Sequence, residues 1–118
     1  MDPKTAVLQY QYGEKAKSEL ILASRLIAGL TGFSDADKVG GRKMLLLLLE
    51  GIRSELEFAS KSTENPSFGK SIEALNGAIS MVEGSNDDEA IPKVAEAVSA
   101  ATTVAQESWE ALVSHGLL

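Results

Sequence analysis

No cysteine occurs anywhere in the chain. Disulfides, thiolate metal sites and cysteine nucleophiles are therefore excluded. Aromatic residues make up only 5% of the composition. A β-sandwich leans on aromatic and β-branched side chains, so their scarcity argues against one. The only histidine is His115, close to the chain end. One histidine supplies neither a two-histidine metal site nor the paired Glu-x-x-His motifs of di-iron bundles. A fraying terminus is also a poor place to hold a Ser-His-Asp triad. His115 reads instead as a cation at the negative end of a helix dipole. The longest apolar run is the six residues Met44–Leu49, against about 20 needed to cross a bilayer. No basic-then-apolar leader is visible, so the expectation is a cytoplasmic chain that neither enters a membrane nor is secreted in this form.

Positive charge is scarce in one half. Residues 1–61 carry nine Lys/Arg and eight Asp/Glu, whereas residues 62–118 carry only Lys70 and Lys93 against nine acids. The halves are +1 and −7 and sum to the net −6. Nucleic-acid binding needs a basic footprint, so no nucleic-acid partner is expected. The acidic half reads as a solvated, solubilising surface.

What is present is helical periodicity. At 118 residues one domain is expected, covering 1–118. Four segments carry apolar residues at spacings of three and four, and each opens on a cap signal. Asp2-Pro3 opens the first, with the stripe Leu8, Tyr12, Ala16, Leu20, Ala23, Ile27, Leu30. Ser34, with Asp37 three residues on, opens the second, with the stripe Leu45, Leu49, Ile52, Leu56, Ala59. Asn65-Pro66 opens the third, with Phe68, Ile72, Leu75, Ile79, Val82, and Gly84 as its left-handed terminator. The Ser85–Glu89 cluster opens the fourth, with Ile91, Val94, Val98, Ala101, Ala105, Trp109, Leu112. Pro92 is expected inside its first turn. The predicted helices span 4–31, 35–61, 66–83 and 88–115. Short loops favour antiparallel neighbours, so the fold expected is an all-α, up-down-up-down antiparallel four-helix bundle. Leu45, Leu49, Ile52, Leu56, Ile72, Leu75, Ile79, Val94 and Val98 are expected to share one core.

Chemistry-bearing patterns are weak. Asp35-Ala36-Asp37 begins like a calcium loop, but Val39 and Leu46 stand where that loop needs oxygen ligands, so the segment reads as a cap. Gly40-Gly41-Arg42-Lys43 lacks the strand and lysine context of a phosphate loop. Its glycines suit close helix approach and its cations read as solvated. Glu19 and Glu55 lie at the margins of their stripes, where a facing pair could do acid–base work or hold a cation. Lys15 and Arg25 are the basic residues at hand. Tyr12 and Trp109 read as packing residues and Tyr10 as exposed. No catalytic residue, metal ligand or cofactor is expected, and an enzyme ranks last among the readings.

Assembly is the stronger signal. Six consecutive apolar residues cover a helix's whole circumference, whereas a bundle core absorbs a stripe. Helix 2 carries a second stripe, Gly40, Met44, Leu47, Gly51, Phe58, about 110° from the first. Helix 4 carries a second stripe of Ala97, Ala100, Val104 and Ala111, which contact with two bundle neighbours can explain. Helix 3 is about 15 Å shorter than the others at 1.5 Å per residue. Helix 4 should therefore overshoot one end, carrying Trp109, Leu112 and Val113 with it. The competing expectation is that residues 62–65 and the N-terminal turn fold over that overshoot. The function expected is a non-enzymatic interaction or assembly protein that forms a homodimer or meets a protein partner. The interface candidates are Met44, Leu47, Gly51, Phe58, Trp109 and Leu112. The alternative is a small ligand- or metal-binding helical domain that uses the marginal carboxylates.

Overall fold

The computed structural model describes all 118 residues and contains four helices and no strand: α1 (Pro3–Leu30), α2 (Asp35–Thr63), α3 (Pro66–Glu83) and α4 (Asp87–Ser114). Every boundary falls within two residues of its expected position, because the caps act locally. Asp2 accepts from the Thr5 N–H at 2.9 Å, which holds its carboxyl below the ordinary range. Ser34 accepts from the Asp37 N–H, and Asn65 from the Ser67 N–H. Two local expectations need correction. At the end of α3 the left-handed residue is Ser85 (φ 63°), not Gly84 (φ −84°). The Asn86 N–H reaches back to the Met81 carbonyl and the Ser85 N–H to that of Val82, a Schellman pattern one residue later than expected. Pro92 lies in the second turn of α4, not the first. Pro92 and Asp88 are both exposed, so the Asp88 carbonyl that loses its partner faces water.

Each helix packs against its sequence neighbour, α4 closes back on α1, and the diagonal pairs make no close backbone approach. The result is an antiparallel up-down-up-down bundle around one core that includes Leu20, Ile27, Leu49, Phe68, Leu75 and Val94. The α2 stripe is buried residue for residue as expected. Of the nine predicted core residues, Ile72 and Val98 are half-buried and packed against the core, while the other seven are buried. In α4 the buried residues are Asp87, Ala90, Val94, Ala97, Ala101, Val104, Ala105, Ser108 and Leu112. They run between the two expected stripes, because this helix serves α1 on one side and α3 on the other. Trp109 is correspondingly left at the edge, half exposed.

Cross-helix contacts set the stagger. Lys15 meets Glu55 and Tyr12 meets Phe58 across α1–α2. Arg53 meets Asn76 across α2–α3, and Ser71 donates to the Ala97 carbonyl across α3–α4. Gly13 lies against Ala105, and His115 Nε2 sits 2.9 Å from the Met1 carbonyl, across α1–α4. From this register, α3 flanks only the first two-thirds of α4, and α4 beyond Ala105 packs against the N-terminal half of α1. Leu112 is buried there. Asn65 Nδ2 donates to Gln9 Oε1 beneath the overshoot, with both residues buried. Of the overshooting residues Leu112 is buried, while Trp109 and Val113 remain exposed.

At the opposite end α2 extends beyond α3, and a side-chain pair spans the bundle diagonal. Arg42 donates through Nε and Nη2 to both carboxylate oxygens of Asp87, at 3.3 and 2.6 Å. Arg42 is thus paired rather than solvated, and Asp87 raises its pKa further. A bidentate guanidinium–carboxylate pair ties the α4 N-terminus to α2 where no intervening helix does so.

Candidate interaction surface

The outer face of α1 and α2 carries six large exposed apolar side chains. On α2, Met44, Leu47 and Phe58 are 69, 63 and 60% exposed. Gly51 is exposed, and a Cβ built on it would meet nothing within 4 Å. Phe58 stands edge-on to Tyr12 at 6.0 Å. Leu22 and Leu26, one turn apart on α1, and Phe33 in the loop are about half exposed. The Met44–Leu49 run divides as its circumference requires. Leu45 and Leu49 are buried, Leu46 and Leu48 are half-buried, and Met44 and Leu47 face water.

Two depressions of about 290 Å³ lie along this face. One sits between Tyr12, Lys15 and Ala16 of α1 and Glu55, Phe58 and Ala59 of α2. The other is almost wholly apolar, formed by Leu26, Leu30, Phe33, Met44 and Leu48 around Gly41. A Cβ at Gly41 would lie 2.7 Å from Leu30 Cδ1 and 3.2 Å from Phe33 Cε2, so these two side chains would have to shift to make room for it.

The rim of the first depression carries the polar cluster that the sequence picked out. Lys15 Nζ lies 2.9 Å from Glu55 and 3.8 Å from Glu19, so the two marginal carboxylates do converge. Arg25 takes no part in this ion pairing. Burial raises the Glu19 pKa first, and the neighbouring Glu55 adds to this, against an opposing pull from Lys15. Lys15 is held above its ordinary range, chiefly by the hydrogen bond to Glu55. The sign for stability follows from proton linkage. The native state binds the Glu19 proton more tightly than the unfolded chain does. This contribution is therefore full below the usual value of 4.5 and declines as pH rises through the raised value. Glu19→Gln is expected to melt above wild type at pH 7 and to converge with it below pH 4.5. A variant that melts lower at pH 7 than at pH 4, relative to wild type, would contradict the assignment.

The remaining candidates fall elsewhere. Trp109 lines a shallower depression with Tyr10, Glu14 and Lys17 on the α4 side of α1. Tyr10 is half-buried there rather than exposed. Tyr10 and Tyr12 are two residues apart, about 200° around the helix, so these surfaces lie on opposite flanks of α1. The fold does not bring Trp109 to the Met44–Phe58 strip, and Leu112 has little area left to offer a partner. Leu26 and Phe33, which the sequence reading did not put in the interface, do lie beside Met44. Leu22 and Leu26 sit four residues apart outside the α1 core stripe, a signal available in the sequence.

The fold and this surface define a helical bundle with an uncovered apolar face. No family model, curated protein or solved structure matches the chain.

Proposed function

We propose that this protein is a non-enzymatic assembly module that pairs with a second copy of itself through the outer face of α1 and α2. One observation carries this reading: Met44 stands exposed in one apolar depression with Leu26 and Phe33, and Leu22, Leu47 and Phe58 are exposed on the same two helices. Single exposed leucines are ordinary on protein surfaces, whereas a contiguous apolar patch marks an interaction site. Burying it gains about 25 cal/mol per Å² of apolar surface. A cytoplasmic setting goes with this reading, because a cysteine-free fold needs no oxidising compartment. Sedimentation equilibrium at micromolar concentration is the test. A species of twice the 12.5 kDa chain mass is expected, and a clean 12.5 kDa species would refute the dimer.

A second reading, a small-ligand site, draws on the depression between Tyr12 and Phe58 with Glu55 at its edge. Lys15 already stands between the two carboxylates, where a divalent cation would sit. The reading therefore favours a small apolar or aromatic molecule over a metal. A thermal-shift screen with divalent cations and aromatic metabolites separates it from self-association.

A further inference from the structure

We infer that the two copies pair antiparallel, with the two-fold axis passing at Gly51 and Phe58 of each copy entering its partner's Leu26–Phe33–Met44 depression. This rests on the self-association proposed above and adds its geometry.

The spacing of α2 points to that axis. Met44, Gly51 and Phe58 lie seven residues apart, so they share one side of the helix. Met44 and Phe58 are each about 10 Å from Gly51 along the helix. A two-fold axis at Gly51 therefore brings each Phe58 level with the partner's Met44. Phe58 is a projecting ring, 60% exposed. The depression beside Met44 holds about 290 Å³, and about 150 Å³ suffices to bind benzene. At the axis itself, Gly51 has no side chain and open space around its α-carbon, so two backbones can come close.

Charge selects the antiparallel orientation. Lys43, Glu50 and Glu57 form the row that flanks the strip, each one residue before a member of it. Antiparallel pairing sets each Lys43 near the partner's Glu57, giving two favourable contacts. All three side chains of this row lie about 100° round the helix from the strip, on the watered flank. The Glu50–Glu50 repulsion and the two Lys43–Glu57 attractions are therefore screened alike. Glu57 also has Arg53 at 3.8 Å. The two attractions outnumber the one repulsion. Parallel pairing turns Glu50 toward the partner's Lys15–Glu55 ion pair, which is near neutral, and leaves Lys43 without an acid. Flanking charges of this kind set helix orientation in coiled coils. The face is about 27 Å long and about 20 Å wide, about 540 Å² per copy, which brings the pair to roughly the 1,000 Å² total that a specific interface needs.

The absence of cysteine makes a clean test possible. Lys43→Cys and Glu57→Cys are made separately on exposed positions that leave the apolar strip intact. A short bis-maleimide is expected to cross-link a mixture of the two variants and neither variant alone, since like cysteines lie about 20 Å apart along the antiparallel pair. Phe58→Ala should weaken association by about tenfold or more, as an anchor residue does, with an unchanged helical spectrum at dilution. A wild-type monomer by sedimentation overturns both self-association and this geometry. A wild-type dimer whose variants cross-link with themselves overturns the antiparallel geometry alone. A dimer that cross-links in neither case, or that ignores Phe58→Ala, uses another face and also overturns it.

Discussion

Leu49→Ala is expected to lower the unfolding free energy by about 2–5 kcal/mol, the range for a truncated core leucine. Leu47→Ala, two positions away, should cost the monomer no more than about 0.5 kcal/mol. The side chains are identical and the helix is the same, so only position differs. Two residues turn the chain by about 200°. Leu49 is completely buried and packs within the central cluster, whereas Leu47 is 63% exposed. Removing three carbons at Leu49 forfeits their transfer energy and leaves a cavity that close-packed neighbours fill only partly. At Leu47 water fills the space. Urea denaturation at a concentration where the chain is monomeric measures both. Equal losses would show that the inner and outer faces of α2 are misassigned. In the dimeric range the Leu47 loss should appear instead as weaker association.

Gly13→Leu should destabilise the fold by about 3 kcal/mol or more, at or beyond the upper end for overpacking. A Cβ at this position would lie 3.0 Å from the Ala105 nitrogen and 3.2 Å from its α-carbon. Both are backbone atoms of α4, so no rotamer change relieves the contact. Both helices bury small residues around this contact: Ala6, Gly13 and Ala16 on α1, and Ala101 and Ala105 on α4. Any side chain at 13 therefore separates two 28-residue helices along their length. Gly13→Ala is the finer test. A gain of about 1 kcal/mol in helix propensity opposes an overpacking cost of about 1–3 kcal/mol, so a net loss is expected. Gly69→Ala is the control, because its Cβ would meet nothing within 4 Å. It should raise the melting temperature through propensity alone. A Gly13→Leu protein that melts like wild type would rule out the close α1–α4 approach.

How legible each helix was depended on contrast between its faces. In α2, leucine and isoleucine stand against glutamate and lysine, so Leu45, Leu49, Ile52, Leu56 and Ala59 were readable as the buried set. In α4, two alanine-rich stripes flank each other. Alanine loses little by facing either way, so periodicity placed the buried arc too far toward Trp109. Gly13 and Gln9 escaped notice in α1 because neither looks apolar. A glycine in mid-helix with no turn to serve was the available signal. The Arg42–Asp87 pair joins residues 45 apart and had no local signature.

The number of helices, their ends and the excess apolar surface of α2 were determined by the sequence alone. These are local, periodic properties that caps, prolines and i+3/i+4 spacing specify within a few residues of each other. The tertiary structure decided which apolar stripe a neighbour covers. Ala97 meets Ser71 of α3, Val104 and Leu112 are buried, and Met44, Leu47 and Phe58 are left facing water, Met44 beside Leu26 and Phe33. That choice depends on how far each helix slides along the next. The slide is set by contacts between distant residues, among them Gly13 on Ala105, Ser71 on Ala97 and Arg42 on Asp87, and helical periodicity carries no information about it.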